Sequence, residues 1–166
     1  MSIQDLGSIG EFVAALVVVV TLIILTVQMR QNTRAVKNAS ALSGVRFWSD
    51  YVALIANDTE TTDIYARGAQ SFGALRPEEK VRFDLLAVTF MKAAETFFRL
   101  NRDGALDPSE WESWERTIAD VIGRPGFQQW WQERKHRYSD EFQEWIELKP
   151  PTSTPSFYPA KSDHAS

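Results

Sequence analysis

The sequence predicts an all-α protein, with one N-terminal transmembrane helix running on into a compact cytoplasmic bundle of about four to six helices. Three observations carry the prediction. Eighteen residues from Phe12 to Met29 hold no charge. Beyond Arg46 the apolar residues recur every three or four positions, the spacing of one helix face. Pro77, Pro108 and Pro125 each stand where a helical pattern begins, and proline is tolerated in a first turn. No stretch alternates polar and apolar residues as a half-buried strand would. The mean hydropathy of -0.27 averages these unlike parts. A chain of 166 residues has room for one such bundle, an anchor and a tail. The expected divisions are a short segment 1–8, a span 9–29, a juxtamembrane helix 30–56, a helical domain 57–148 and a disordered Pro/Ser-rich tail 149–166.

The span reads FVAALVVVVTLIILTVQM, with only Thr21, Thr26 and Gln28 as polar members. At 1.5 Å per residue it covers about 27 Å, close to the roughly 30 Å of a hydrocarbon core. Four consecutive valines followed by LIIL leave no polar stripe to face water, so a soluble surface helix does not fit. A cleaved signal peptide would want a basic start. Here Asp5 and Glu11 are the only charged side chains before the span.

The flanks assign a side. Arg30, Arg34, Lys37 and Arg46 crowd the exit without an acid among them, and no Lys or Arg precedes the span. The positive-inside rule then puts the N-terminus outside and the domain in the cytoplasm. Glu11 and the basic cluster also suit the two ends of the helix dipole. Arg30, Arg34 and Lys37 share one helix face and are candidate lipid-headgroup contacts, worth on the order of 1 kcal/mol each beside an anionic surface. Gly10 and Ala14 form one small-xxx-small pair, a candidate helix-helix packing site.

From Met29 to Asn57 there is no proline and only Gly44 as a breaker, so the span is expected to continue as a helix until Asn57-Asp58-Thr59. Val45, Phe47, Trp48, Tyr51, Val52 and Ile55 supply its apolar stripe. A short helix is expected around Asp63 to Gln70. Pro77, with Glu78 and Glu79 behind it, opens the central helix to about Leu100, with Phe83, Leu86, Phe90, Ala93, Phe97 and Leu100 buried. Asp107 caps the next helix, with Pro108 at its first position and Glu110 placed for a capping box. Trp111, Trp114, Ile118 and Ile122 mark its buried edge, and Gly123 ends it. Pro125 starts another, carrying Phe127, Trp130 and Trp131. Ser139-Asp140-Glu141 starts a last one with Phe142, Trp145 and Ile146. Four of the seven prolines follow Leu148, in a stretch without periodicity.

The stretches IGEFVAALVVVVTLIILTVQMRQNTRAV, RPEEKVRFDLL, NRDGALDPSEWESW and RPGFQQWWQERKHRYSDEF resemble a group of small bacterial single-pass membrane proteins with a helical domain. The resemblance covers about residues 9 to 147. It implies this fold and a place in the bacterial inner membrane, and it implies no activity.

Catalytic equipment is not visible in the sequence. Cysteine is absent, and the two histidines are His136, near a helix end in RKHR, and His164 in the tail. Neither phosphate-cradling glycine motif occurs. Glu78-Glu79 and Glu110, Glu112 and Glu115 read as first-turn acids and a solvated face. A degenerate calcium loop places Asn101, Asp103, Asp107 and Glu110 as ligands around Gly104, but its first position is Arg99, a cation where an oxygen donor is needed. A helix-hairpin turn with a left-handed Gly104 explains the same letters. No cofactor or metal is therefore expected.

Trp130 and Trp131 next to Arg134, Lys135 and Arg137 form a run of the kind seen on nucleic-acid and membrane surfaces. Beyond Arg46, however, 20 acidic residues face 14 basic ones, a balance that repels phosphate and speaks against nucleic acid. The expected place for these tryptophans is split between core and rim. The sequence thus points to a membrane-tethered interaction or scaffolding protein whose partners are membrane lipids and an unknown protein. The competing expectation is a self-associated membrane assembly, such as a channel, built through the span.

Overall fold

The structure, a computed structural model, describes residues 3–149, and of residues 3–11 and 13 the backbone alone. The expected tail from Pro150 onward lies outside the described residues. These form six α-helices and two 3-10 turns, with no strand among them. The helices are α1 (Ile3–Ala56), α2 (Thr59–Gln70), α3 (Pro77–Arg102), α4 (Pro108–Ile122), α5 (Pro125–Arg134) and α6 (Asp140–Glu147). The 3-10 turns are Phe72–Ala74 and Lys135–Arg137. The chain divides into two units, Met1–Ser40 and Ala41–Ser166.

In the first unit α1 is long and apolar enough to cross a membrane, and its apolar window is not buried inside the chain. From Leu16 to Met29 the large apolar side chains lie exposed. Thr21 and Thr26 turn their hydroxyls back onto the carbonyls of Val17 and Leu22, each at 2.8 Å. Each hydroxyl thus has its acceptor within the helix, as do those of Thr89, Thr96 and Thr117 in α3 and α4.

In the second unit α3 is the axis of the core. Phe83, Phe90, Met91, Trp130, Phe127, Phe142, Ile64 and Ile118 are fully buried. The buried face of α3 is wider than a single stripe, taking in Ala87, Met91, Ala94 and Phe98 as well, while Ala93 and Leu100 are only half-buried. One helix packed on more than one side buries residues that a one-face pattern leaves out. Phe98 joins Trp111, Phe142 and Trp145 in a ring cluster with centroids 5.2 to 6.3 Å apart.

Two local expectations are corrected. Helix α2 starts at Thr59, four residues before Asp63, because Asp58 accepts the backbone N–H of Thr61 at 3.0 Å and so caps a helix there. Lys149, expected in the tail, pairs with Glu115 and lies 4.7 Å above the Trp145 ring. Asp107 caps α4 by accepting the backbone N–H of Ser109 at 3.1 Å, with Pro108 next in the helix.

Candidate functional site: an aromatic groove beside α4

Gly44 is the residue that builds the site. The sequence marks it as the one breaker in this stretch, yet α1 passes straight through it. Its role is close approach: a Cβ there would lie 3.0 Å from Trp114 Nε1 and 3.4 Å from the Phe97 ring. The indole of Trp114 stacks on Phe97 at 4.2 Å and meets Trp48 edge-on at 6.2 Å. Trp48 in turn reaches Phe90 at 6.4 Å. Trp48 and Trp114 are therefore held at fixed angles, both part-open, as walls of a groove of about 460 Å³. Ala41 and Val45 complete the apolar wall, and Glu110 and Ser113 stand among the polar lining. Such a groove can take an apolar side chain or a helix face and offers a carboxylate at its rim.

A second groove, of about 520 Å³, runs along Ile122, Pro125, Gln128, Trp131 and Ile146. Three glutamines line it, so it presents amides where the first presents rings.

The basic run after Trp130 and Trp131 is consumed inside the domain. Both tryptophans are buried, so the expected split between core and rim does not occur. Trp130 Nε1 donates to Asp84 at 2.7 Å, Arg134 Nε donates to the same oxygen at 3.0 Å, and Arg137 bonds the other at 3.3 Å. Lys135 pairs with Glu147 at 2.6 Å. These bonds tie α5 and the following turn to α3 and, through Glu147, to α6, and they leave His136 as an exposed residue beside them.

Three acids of α3 hold the bundle in this way, and the spacing of the sequence did not single out their roles. Glu79 receives a two-pronged contact from Arg67 at 2.8 and 3.1 Å and the backbone N–H of Arg76 at 3.0 Å. Glu95 accepts the backbone N–H of Ser139 at 2.8 Å and Lys92 at 2.9 Å. Hydrogen bonds from Arg67 and then Arg76 hold the Glu79 carboxyl well below its ordinary range. Burial pushes the Asp84 and Glu95 carboxyls up, but the donors around each outweigh it and both end lowered. A carboxyl lowered in the folded state stabilises above its unfolded value, roughly pH 4, and that contribution is lost as the pH falls through the lowered value.

The other sequence-marked residues fall as follows. Arg30 and Arg34 are exposed and Lys37 is half-buried, with no ion-pair partner among the described residues. Ala14 is exposed, and the surroundings of Gly10 lie outside the described side chains. Gly104 adopts φ 69°. Its N–H bonds Asn101 O at 3.0 Å and the Ala105 N–H bonds Leu100 O at 2.9 Å, the glycine-closed helix end. In that turn Asp103 and Asp107 are exposed while Asn101 and Glu110 are half-buried. Asp107 Oδ1 is taken by the N–H and hydroxyl of Ser109. Among the described residues no group of three or more His, Asp or Glu is placed to hold a metal ion.

Compared with models of known protein families, with curated proteins and with solved structures, the chain matches none.

Proposed function

We propose that this chain is a membrane-tethered helical interaction or scaffolding protein. In this reading residues 9–29 cross the inner membrane of a bacterial cell once, the N-terminus is outside, and the domain meets a protein partner in the cytoplasm. The observation that carries the reading is the unbroken band of apolar side chains from Leu16 to Met29, which the folded chain leaves exposed while the domain forms a buried aromatic core of its own from other residues. That much exposed apolar surface on one helix calls for lipid around it. The charge asymmetry around the span sets the side, and Arg30 and Arg34 are open to lipid headgroups.

Tethering fits better than conduction. The span's threonines bond their own helix, which leaves Gln28 as its one side chain with polar hydrogens to spare. Binding fits better than catalysis, because the acids that catalysis would recruit in α3 are bonded to arginines, a lysine and backbone N–H groups that hold the helices together. The Trp48–Trp114 groove is the surface offered to the partner. Ser113 is exposed in its lining, outside the core. Affinity purification of the tagged full chain from detergent-solubilised membranes is expected to bring down a partner protein at comparable amount, and Ser113→Arg is expected to lose it. Recovery of the same partner with Ser113→Arg would remove the groove from the account.

A further inference from the structure

Bordering the groove, and sharing Val45 with its wall, the outer face of α1 carries a row of residues that the domain leaves exposed. Leu42 is 71% exposed, Val45 68% and Val52 42%, and Ser49 between them is exposed as well. Their spacing is three, four, three, which keeps them in one row along a helix. The α1 residues turned to the domain are Gly44 and Tyr51, which are buried, and Phe47 and Ile55, which pack against its core; at helical spacing they lie on a different side of the helix.

We propose that this row is a self-association seam, and that its occupant is a second copy of this chain lying parallel and in register. The inference rests on the anchor reading above. If every copy enters the membrane from the same side, two copies stand parallel at the same height and present the same residue to each other at each level. A three-four row of Leu, Val, Ser and Val then meets its own copy residue for residue, as along the seam of a parallel coiled coil. In the sequence the same alternation runs back through Asn38, Ala35, Gln31 and Gln28, and farther to Ala14 and Gly10, without one charged residue. Arg30, Arg34, Lys37, Arg46 and Asp50 all fall off it. Amide side chains at seam positions fix register between parallel helices.

The area sets where the pairing occurs. A stable soluble dimer buries about 800 Å² on each partner, and one row of four residues falls short of that. Copies held by their spans meet at an effective concentration that makes a weak seam sufficient. The seam therefore belongs to the membrane-held chain.

The chain has no cysteine, so single cysteines report contacts without background. The test places Leu42→Cys, Val45→Cys, Ser49→Cys and Val52→Cys one at a time in the full chain in its membrane, with Ser43→Cys and Leu54→Cys as exposed controls on another side of α1. Mild oxidation is followed by non-reducing gel analysis, and each variant is fractionated into membrane and soluble parts. The expected result is a dimer band at the four seam positions and several-fold less at the two controls, since a disulfide requires Cα atoms within about 7 Å. Membrane-bound variants with an even profile, or with the maximum at Ser43→Cys or Leu54→Cys, would overturn the seam and leave the anchor standing. Variants found in the soluble fraction would overturn the anchor and the seam with it.

Discussion

Gly126→Ala is expected to cost the domain more than about 3 kcal/mol, beyond the usual penalty for overpacking a core. A Cβ at this position would stand 1.8 Å from the carbonyl oxygen of Gly68 and 2.8 Å from the carbonyl carbon of Ala69. Both are backbone atoms of α2, so no side chain can turn aside to make room. The two helices have to separate. Gly68 is itself pressed against Phe83, where a Cβ would meet the ring at 2.3 Å. Separation would also open the Phe83–Phe127 and Tyr65–Phe127 contacts, now 5.0 and 5.9 Å between centroids. Thermal unfolding followed by tryptophan fluorescence should show the midpoint falling by roughly 12 °C or more, on the scale of a domain this size. Gly73→Ala, where a Cβ would make an ordinary contact with Gln129 Oε1 at 3.7 Å, is the control. Equal midpoints for the two variants would mean that α2 and α5 do not cross at Gly68 and Gly126.

Phe90→Ala is expected to cost about 3 to 5 kcal/mol. Its ring is fully buried, 5.6 Å from Tyr51 and 6.4 Å from Trp48. Those two residues come from α1, so the lost ring loosens the contact that fastens the end of α1 to α3 and leaves a cavity that the aromatic neighbours cannot fill. Leu85→Ala, on the same helix but 62% exposed, should change stability by less than about 0.5 kcal/mol. Urea titration of the two variants checks the contrast, and an unchanged midpoint for Phe90→Ala would move that residue out of the core.

The helix starts were the most legible part of the fold. Pro77, Pro108 and Pro125 each open a helix in the structure as in the sequence, because a proline ring excludes nearly every other helical position. Asp58 was read as part of a break and is a cap; an aspartate between two helices fits either role, and only the bond to Thr61 decides. Gly44 was read through its propensity, whereas its reason lies in Trp114, seventy residues later and invisible to local spacing. The same holds for Asp84. Its donors Trp130 and Arg134 come from a different helix, so the basic run looked like a free surface until the fold brought the acid to it. The groove was legible as a surplus of aromatics and not as a place. The long apolar helix was legible throughout, since a long uncharged run needs no partner to be recognised.

Whether α1 holds this chain in a membrane with the domain on the cytoplasmic side can be read from labelling at its two ends. The absence of native cysteine again makes the measurement direct. Ser8→Cys and Asn57→Cys, one before the span and one exposed just after α1, are treated in intact cells with a membrane-impermeant maleimide and again after permeabilisation. The expected result is a chain that stays with the membrane through alkaline extraction, with Ser8→Cys labelled in intact cells and Asn57→Cys labelled only once they are opened. Labelling of Asn57→Cys in intact cells, or release of the chain by alkaline extraction, would contradict it.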